Sequence, residues 1–254
     1  MTTDNGPPFN AHEFEKFAQA YKFEHVTSSL GYLQSNRKAE NAVKLAKSTL
    51  RKAHHSGQDG YLSLVTSLCR SSYFHLRKIA SIRPYLSNEN TAQLVSSLIL
   101  SRLDYCNSTL SGLPPCSLNR LQKVQNNAAR LVLRKRKSDH VTPLLKKLHW
   151  LPAEARIHNK IATLAFRHFE NSLPPYLSEL LHTYRPSQTL RSSSEKLLKV
   201  PKTNLKSAGN RSFHFQAAKI WNSLPTNVRS SPSLSSFKKN LKIHLFKESF
   251  SLGL

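Results

Sequence analysis

The sequence predicts a mainly α-helical protein that begins with a small α/β segment. From about residue 62 onward, apolar residues recur three and four positions apart, which is the spacing of amphipathic helices. Prolines stand near the boundaries of several of these runs, where helices begin or end. Before residue 60 the pattern is mixed, because helical spacing flanks one short alternating run.

The N-terminal segment contains two predicted helices and one predicted strand. Residues 10–20 place aromatic and small apolar side chains on one face of a short helix. Residues 21–27 alternate apolar with charged side chains, which is typical of a strand. Residues 38–55 carry Ala, Val and Leu at helical spacing, and this predicted helix ends near Gly57.

The rest of the chain is predicted to be a multi-helix module with one interruption. Residues 183–211 are rich in Ser, Lys and Pro and contain one strand-like run, so we interpret them as a connector. Residues 90–103 are apolar on more than one side, so we expect that helix to be buried. The predicted helices of this module are 62–82, 90–103, 117–135, 142–148, 152–169, 174–181, 212–223 and 234–250.

The composition points to an anionic partner. The 38 Lys and Arg residues against 14 Asp and Glu residues give a net charge of +24. Residues 1–68 hold 8 of the basic and 6 of the acidic residues, so the net charges of the two parts are +2 and +22. Such an excess repels itself in a compact chain unless an anion neutralises it. Nucleic acid is the first candidate, and an anionic membrane surface is the second.

Several classes of protein are disfavoured. The three cysteines, Cys69, Cys106 and Cys116, are odd in number and form no CxxC pair, which argues against a disulfide framework or a zinc site. The N-terminus lacks the apolar core of a secretory signal. The apolar run at 94–100 is too short to span a bilayer. We therefore expect an intracellular protein, in the nucleus or cytoplasm, with no membrane partner.

A dense basic cluster ends the predicted helix 117–135. Cations at this position complement the negative end of the helix dipole, and they also suit contact with phosphate groups. The excess of +22 over this part of the chain favours nucleic-acid contact. The candidates are Arg130, Arg134, Lys135, Arg136 and Lys137, together with Lys38 and Lys44 on the predicted helix 38–55. Trp150 and Trp221 could stack on bases, but such residues are more often core anchors.

The N-terminal segment resembles part of a known catalytic core. Asp4 opens the motif DNGPPF, and Glu40 ends QSNRKAE after 35 intervening residues. These motifs and this spacing resemble the second half of a retroviral-type integrase core, as found in gypsy-like LTR retrotransposons. The resemblance implies an RNase H-like fold and places Asp4 and Glu40 among three carboxylates that hold two Mg²⁺ or Mn²⁺ ions. Hard oxygen ligands of this kind suit two-metal phosphoryl transfer.

The segment also departs from the integrase pattern. The first Asp of the family and the strands that carry it would lie upstream of Met1, and Arg37 stands where the family usually has Gly. Two carboxylates without a third ligand make a weak site, since Mg²⁺ gives up its waters reluctantly. We therefore expect Asp4 and Glu40 to be surface carboxylates, with residual metal-dependent nuclease or strand-transfer activity as the alternative.

Residues 69–254 carry a second resemblance. The segments SRLDYCNSTLSGLP, LQKVQNNAARLV, HVTPLLKKLHWLPAEARI and RSFHFQAAKIWNSLP occur in this order. They resemble the C-terminal end of reverse transcriptases from LINE elements of the CR1 or jockey type. That region lies downstream of the polymerase palm, and the chain has no YxDD motif, so the resemblance implies no polymerase activity.

Together the two resemblances predict a fusion of transposable-element fragments. The predicted divisions are an integrase-core part at 1–62, a helical LINE part at 63–182, the connector at 183–211 and C-terminal helices at 212–254. The favoured function is RNA or DNA binding through phosphates with little sequence preference and an inherited link to DNA integration. A non-functional relic reading frame is the remaining alternative, and the oligomeric state is left open.

Overall fold

A computed structural model describes residues 2–3, 12, 16, 19, 26–27, 44, 47–52, 55, 57, 59–105, 107–184, 196–203 and 209–251. The protein is mainly α-helical in these residues, as predicted. The α-helices are α1 (Gly60–Ile82), α2 (Asn88–Val95), α3 (Ser101–Asp104), α4 (Pro115–Val132), α5 (Thr142–Lys147), α6 (Ala153–Phe169), α7 (Pro175–Ser178), α8 (Phe213–Ser223), α9 (Thr226–Arg229) and α10 (Leu234–Ser251).

Two compact units make up the chain. One contains Met1–Leu64 and Ser172–Leu180, and the other contains Val65–Asn171 and Leu181–Leu254. No helix among the described residues is both long and apolar enough to cross a membrane.

The first unit contains the short strand pair of the chain's described part. Strands β1 (Thr2–Thr3) and β2 (Val26–Thr27) run parallel, with Thr2 opposite Val26. The backbone is helical at positions 12, 16, 19, 44 and 47–52. The predicted elements at 10–20, 21–27 and 38–55 agree with the structure at these positions. A two-residue pairing does not by itself define an RNase H-like sheet, so that part of the fold class stays a prediction.

The second unit is organised around the contacts of α6 with α8 and α10. Helix α10 buries Phe237, Leu241 and Leu245, which lie four residues apart on one face. The Phe166 ring of α6 stacks on Phe237 with 4.3 Å between ring centroids. Trp221 of α8 is fully buried, and its indole nitrogen donates a 2.6 Å hydrogen bond to the Lys196 carbonyl. Trp221 is therefore a core anchor, as the sequence favoured.

The predicted helix 90–103 is interrupted in the structure. Its chain continues from α2 through a π-helical turn at Ser96–Leu100 into α3. Val95, Ile99, Leu100 and Leu103 are buried, as expected from the apolar composition. The wider turn changes the side-chain spacing, which a constant helical period does not predict.

The connector contains one isolated antiparallel bridge, between Thr183 and Leu198. Asn222 of α8 holds this segment, because its side chain accepts from the Leu198 amide at 2.9 Å and donates to the Leu198 carbonyl at 2.8 Å. Leu198 itself is buried. The strand-like run predicted at 197–200 thus contributes to the core of the second unit, while helix α9 was not predicted.

Candidate nucleic-acid interface

Helix α4 ends in a tight turn that carries the basic residues. The Lys135 amide donates to the Arg130 carbonyl at 2.9 Å, and Arg134 adopts a left-handed conformation with φ of 52°. This is the Schellman arrangement, in which glycine is the usual residue. The helix therefore ends at Val132, three residues before the predicted end, and Arg134, Lys135, Arg136 and Lys137 leave the helix axis. We refer to these four residues as the basic turn.

A buried arginine from another segment holds the end of α4. Arg83, in the 3-10 turn Arg83–Tyr85, is 6% exposed. Its guanidinium donates to the Leu131 carbonyl at 2.9 Å and to the Val132 carbonyl at 2.8 Å. These carbonyls lie in the last turn of α4 and have no helical amide partner. A cation there satisfies their hydrogen bonds and also complements the negative end of the helix dipole.

Arg83 also organises its own segment. It donates to the Leu86 carbonyl at 2.6 Å and to the Asn88 side chain. No carboxylate among the described residues pairs with it, so the carbonyl dipoles compensate its charge. Burial lowers the pKa of Arg83, and the neighbouring charge of Arg134 lowers it further. The end of α4 therefore carries two neighbouring arginines, Arg83 and Arg134, and neither pairs with a carboxylate among the described residues.

Arg134 connects the basic turn to the same segment. Its guanidinium lies 3.3 Å from the Leu86 carbonyl and 3.5 Å from the Arg83 carbonyl. Tyr85 lies between Arg83 and Leu86 in the sequence, and its side chain is 88% exposed. An aromatic ring that exposed gains nothing from the core, but it is suited to stacking on a nucleobase.

The remaining side chains of the basic turn face solvent. Lys135, Arg136 and Lys137 are exposed, and the part of the chain that the structure describes offers their cationic groups no hydrogen-bond or ion-pair partner. The backbone beneath them is fixed, since the Asp139 carboxylate accepts from the Arg136 amide at 2.9 Å. Because the backbone of this turn is already ordered, an anion that bound there would not have to order it first.

Arg130 differs from the other predicted contact residues. It is half-buried, and its guanidinium lies 3.4 Å from the Asn127 side-chain oxygen and 3.1 Å from the Asp139 carbonyl. Asn127 in turn donates to the Tyr73 hydroxyl at 3.2 Å. Arg130 therefore joins α4 to the loop after the basic turn.

Most of the other predicted site residues lie outside the described part of the chain. Asp4, Lys38 and Glu40 lie outside the described residues, and Lys44 is exposed in the first unit. In the described ranges, no group of three or more His, Cys, Asp or Glu side chains could hold a metal ion. The integrase-type carboxylates thus stay a prediction.

Arg83 and Tyr85 were not among the site residues predicted from the sequence. The only local signal was the RPY sequence at a helix end, which is ambiguous because the carbonyls that Arg83 binds come from 48 and 49 residues further along. The solvent exposure of Tyr85 has no sequence signature either.

No protein-family profile matches the chain, and no significant match is found among the curated proteins or the solved structures.

Proposed function

We propose that this chain is a transposable-element-derived protein that binds RNA or DNA through phosphates at the basic turn. The observation that supports the proposal is a run of exposed cations at the anchored end of α4, three of which have no partner among the described residues. The segment that Arg134 contacts also carries the exposed ring of Tyr85. The surrounding charge agrees with this, because the part of the chain after residue 68 carries a net charge of +22.

The arrangement favours contacts with the nucleic-acid backbone over reading of base edges. Lys135, Arg136 and Lys137 reach out from a turn, whereas base-edge recognition usually places a helix or strand in a groove. Tyr85 adds a stacking surface that accepts any base, since every base has a π-face. We therefore expect low sequence preference and a higher affinity for single strands than for duplexes.

The test is fluorescence-anisotropy binding of labelled single-stranded RNA and DNA across a series of salt concentrations. Each phosphate contact contributes about 0.7 to the log–log salt slope for a single strand. Replacing all four residues of the basic turn with Gln should lower the magnitude of the slope by up to about 3.

A charge-matched control separates a local site from diffuse attraction. The control variant replaces four exposed lysines on other helices with Gln, and so has the same net charge: Lys160, Lys219, Lys239 and Lys247. The proposal expects the control to keep most of the wild-type affinity. Equal losses in the two variants would show that the basic turn is not a distinct site.

A further inference from the structure

A second positively charged site lies in the unit formed by Val65–Asn171 and Leu181–Leu254. It is a cavity of about 430 Å³, within the size range of small-molecule sites. The π-helical turn supplies Ser96, α3 supplies Asp104, α6 supplies Arg156 and α10 supplies Lys242. His149 and Trp150, from the loop between α5 and α6, complete the polar and aromatic lining.

The charges of the cavity favour an anion. Arg156 donates two hydrogen bonds to the Asp104 carboxylate, one of them 2.8 Å from Nε to Oδ1. That pair neutralises the carboxylate, so Lys242 leaves the lining with an excess positive charge. Arg156 uses two of its five N–H donors on Asp104, and the described residues provide no acceptor for the others. A divalent cation is disfavoured, because the carboxylate is already engaged.

Trp150 gives the cavity a fixed aromatic wall. The His149 backbone is left-handed, with φ of 52°, and the Trp150 amide donates to the Leu145 carbonyl at 3.0 Å. The indole packs on the buried cluster of Ala129, Leu144 and Leu145. Trp150 is half-buried, and no described residue accepts from its indole N–H. It differs in this from Trp221, whose N–H is satisfied inside the core.

The residues that follow Trp150 are also held in place. Gln125 of α4 donates to the Leu151 carbonyl at 2.7 Å, and Gln122 accepts from the Ala153 amide at 2.8 Å. These bonds fix the start of α6 and with it the position of Arg156. An aromatic face, an indole N–H without a described acceptor, the Asp104–Arg156 ion pair and Lys242 therefore line one cavity.

We propose that this cavity binds a nucleoside monophosphate unit, with the base on Trp150 and the phosphate at Lys242 and Arg156. Inorganic phosphate would use the cations but leave the indole face unoccupied, and an uncharged aromatic compound would leave the cations unpaired. The unit can be a free nucleotide or one residue of a strand. The proposal does not depend on the basic turn, which is a different set of side chains.

The test uses tryptophan fluorescence, because Trp221 is buried and Trp150 lines the cavity. Titration with AMP should give saturable quenching, and inorganic phosphate alone should give little. Replacing Lys242 with Gln should weaken AMP binding about tenfold, the loss expected for a charge-assisted hydrogen bond. Lys247→Gln is the matched control, since Lys247 is exposed on the same helix and does not line the cavity.

Two further arms complete the experiment. Trp150→Phe, checked for helical circular dichroism, should remove the quenching signal. A short oligouridine identifies the source of the ligand: tighter binding than AMP indicates a strand residue, and equal binding indicates a free nucleotide. The proposal is overturned if AMP gives no saturable signal, if phosphate alone reproduces it, or if Lys242→Gln and Lys247→Gln weaken binding equally. Variants of the basic turn test the proposed function separately, since they leave this lining intact.

Discussion

Replacing Arg83 with Met should destabilise the protein strongly. The substitution keeps an unbranched stem of similar size but removes every hydrogen bond of the guanidinium. Four acceptors then lose a charged donor, namely the carbonyls of Leu131, Val132 and Leu86 and the side chain of Asn88. Because Arg83 is only 6% exposed, water cannot replace these bonds without opening the structure.

The magnitude follows from the number and burial of these bonds. A hydrogen bond to a charged group is worth about 1.5–3 kcal/mol, and bonds that share one donor group are not additive. Removal of the desolvated charge offsets part of the loss. We expect a net decrease in the free energy of unfolding of about 3–5 kcal/mol, which is a fall in Tm of about 10 °C.

The assay is urea unfolding followed by circular dichroism and tryptophan fluorescence. Arg83→Lys should lose about 1–3 kcal/mol, because an ammonium has fewer donors than the guanidinium. Arg134→Ala is the control: its contacts are long and its side chain is exposed, so it should lose under about 1 kcal/mol. The reasoning is refuted if Arg83→Met unfolds within about 1 kcal/mol of the wild type.

Three further predictions concern other parts of the second unit. Arg134→Gly should raise the free energy of unfolding by about 0.5–1 kcal/mol, because glycine adopts the left-handed conformation without strain. The same variant should bind RNA more weakly, because it removes a cation. Unfolding and anisotropy measured on the same preparation would separate the two effects. Trp221→Ala should cost about 3–5 kcal/mol in thermal unfolding, and a loss under about 1 kcal/mol would show that its aromatic contacts are not the core. Burial lowers the pKa values of His75, His158 and His168, so the unfolded chain binds more protons and stability should fall as pH drops below about 6.5. His158→Gln should flatten this dependence of stability on pH. An unchanged pH profile in that variant would show that His158 does not contribute to the dependence.

The helices of the second unit could be predicted well because their packing follows sequence period. In α10, Phe237, Leu241 and Leu245 recur every four residues, and the structure buries all three. The start of α5 at Thr142 and that of α6 after Pro152 followed from the positions of the prolines. These signals are local, so they predict the helices without knowledge of the fold.

Helix ends that lack glycine were harder to predict. Arg134, His149 and Asn171 all have positive φ values in the turns that follow α4, α5 and α6. Glycine would mark such a position in the sequence, whereas Arg and His do not. The end of α4 was therefore predicted at 135, so Arg134 and Lys135 were expected within the helix, whereas the structure has them in the turn that follows it.

The two candidate sites depend on contacts between distant segments. Arg83 reaches carbonyls 48 and 49 residues away, and Asp104 pairs with Arg156 across 52 residues. No periodic pattern encodes such pairs, because each partner has an ordinary local environment. The basic cluster could be predicted from composition, but its anchoring by Arg83, the exposure of Tyr85 and the cavity at Trp150 required the structure.

The most direct test of the central claim is ultraviolet crosslinking of a single-stranded RNA to the protein, with mass spectrometry of the crosslinked peptides. Binding at the basic turn predicts crosslinks at Tyr85 and at residues 134–137, which high salt should abolish together. Crosslinks confined to the exposed lysines of α10, or spread evenly over the basic side chains, would contradict a phosphate site at the end of α4.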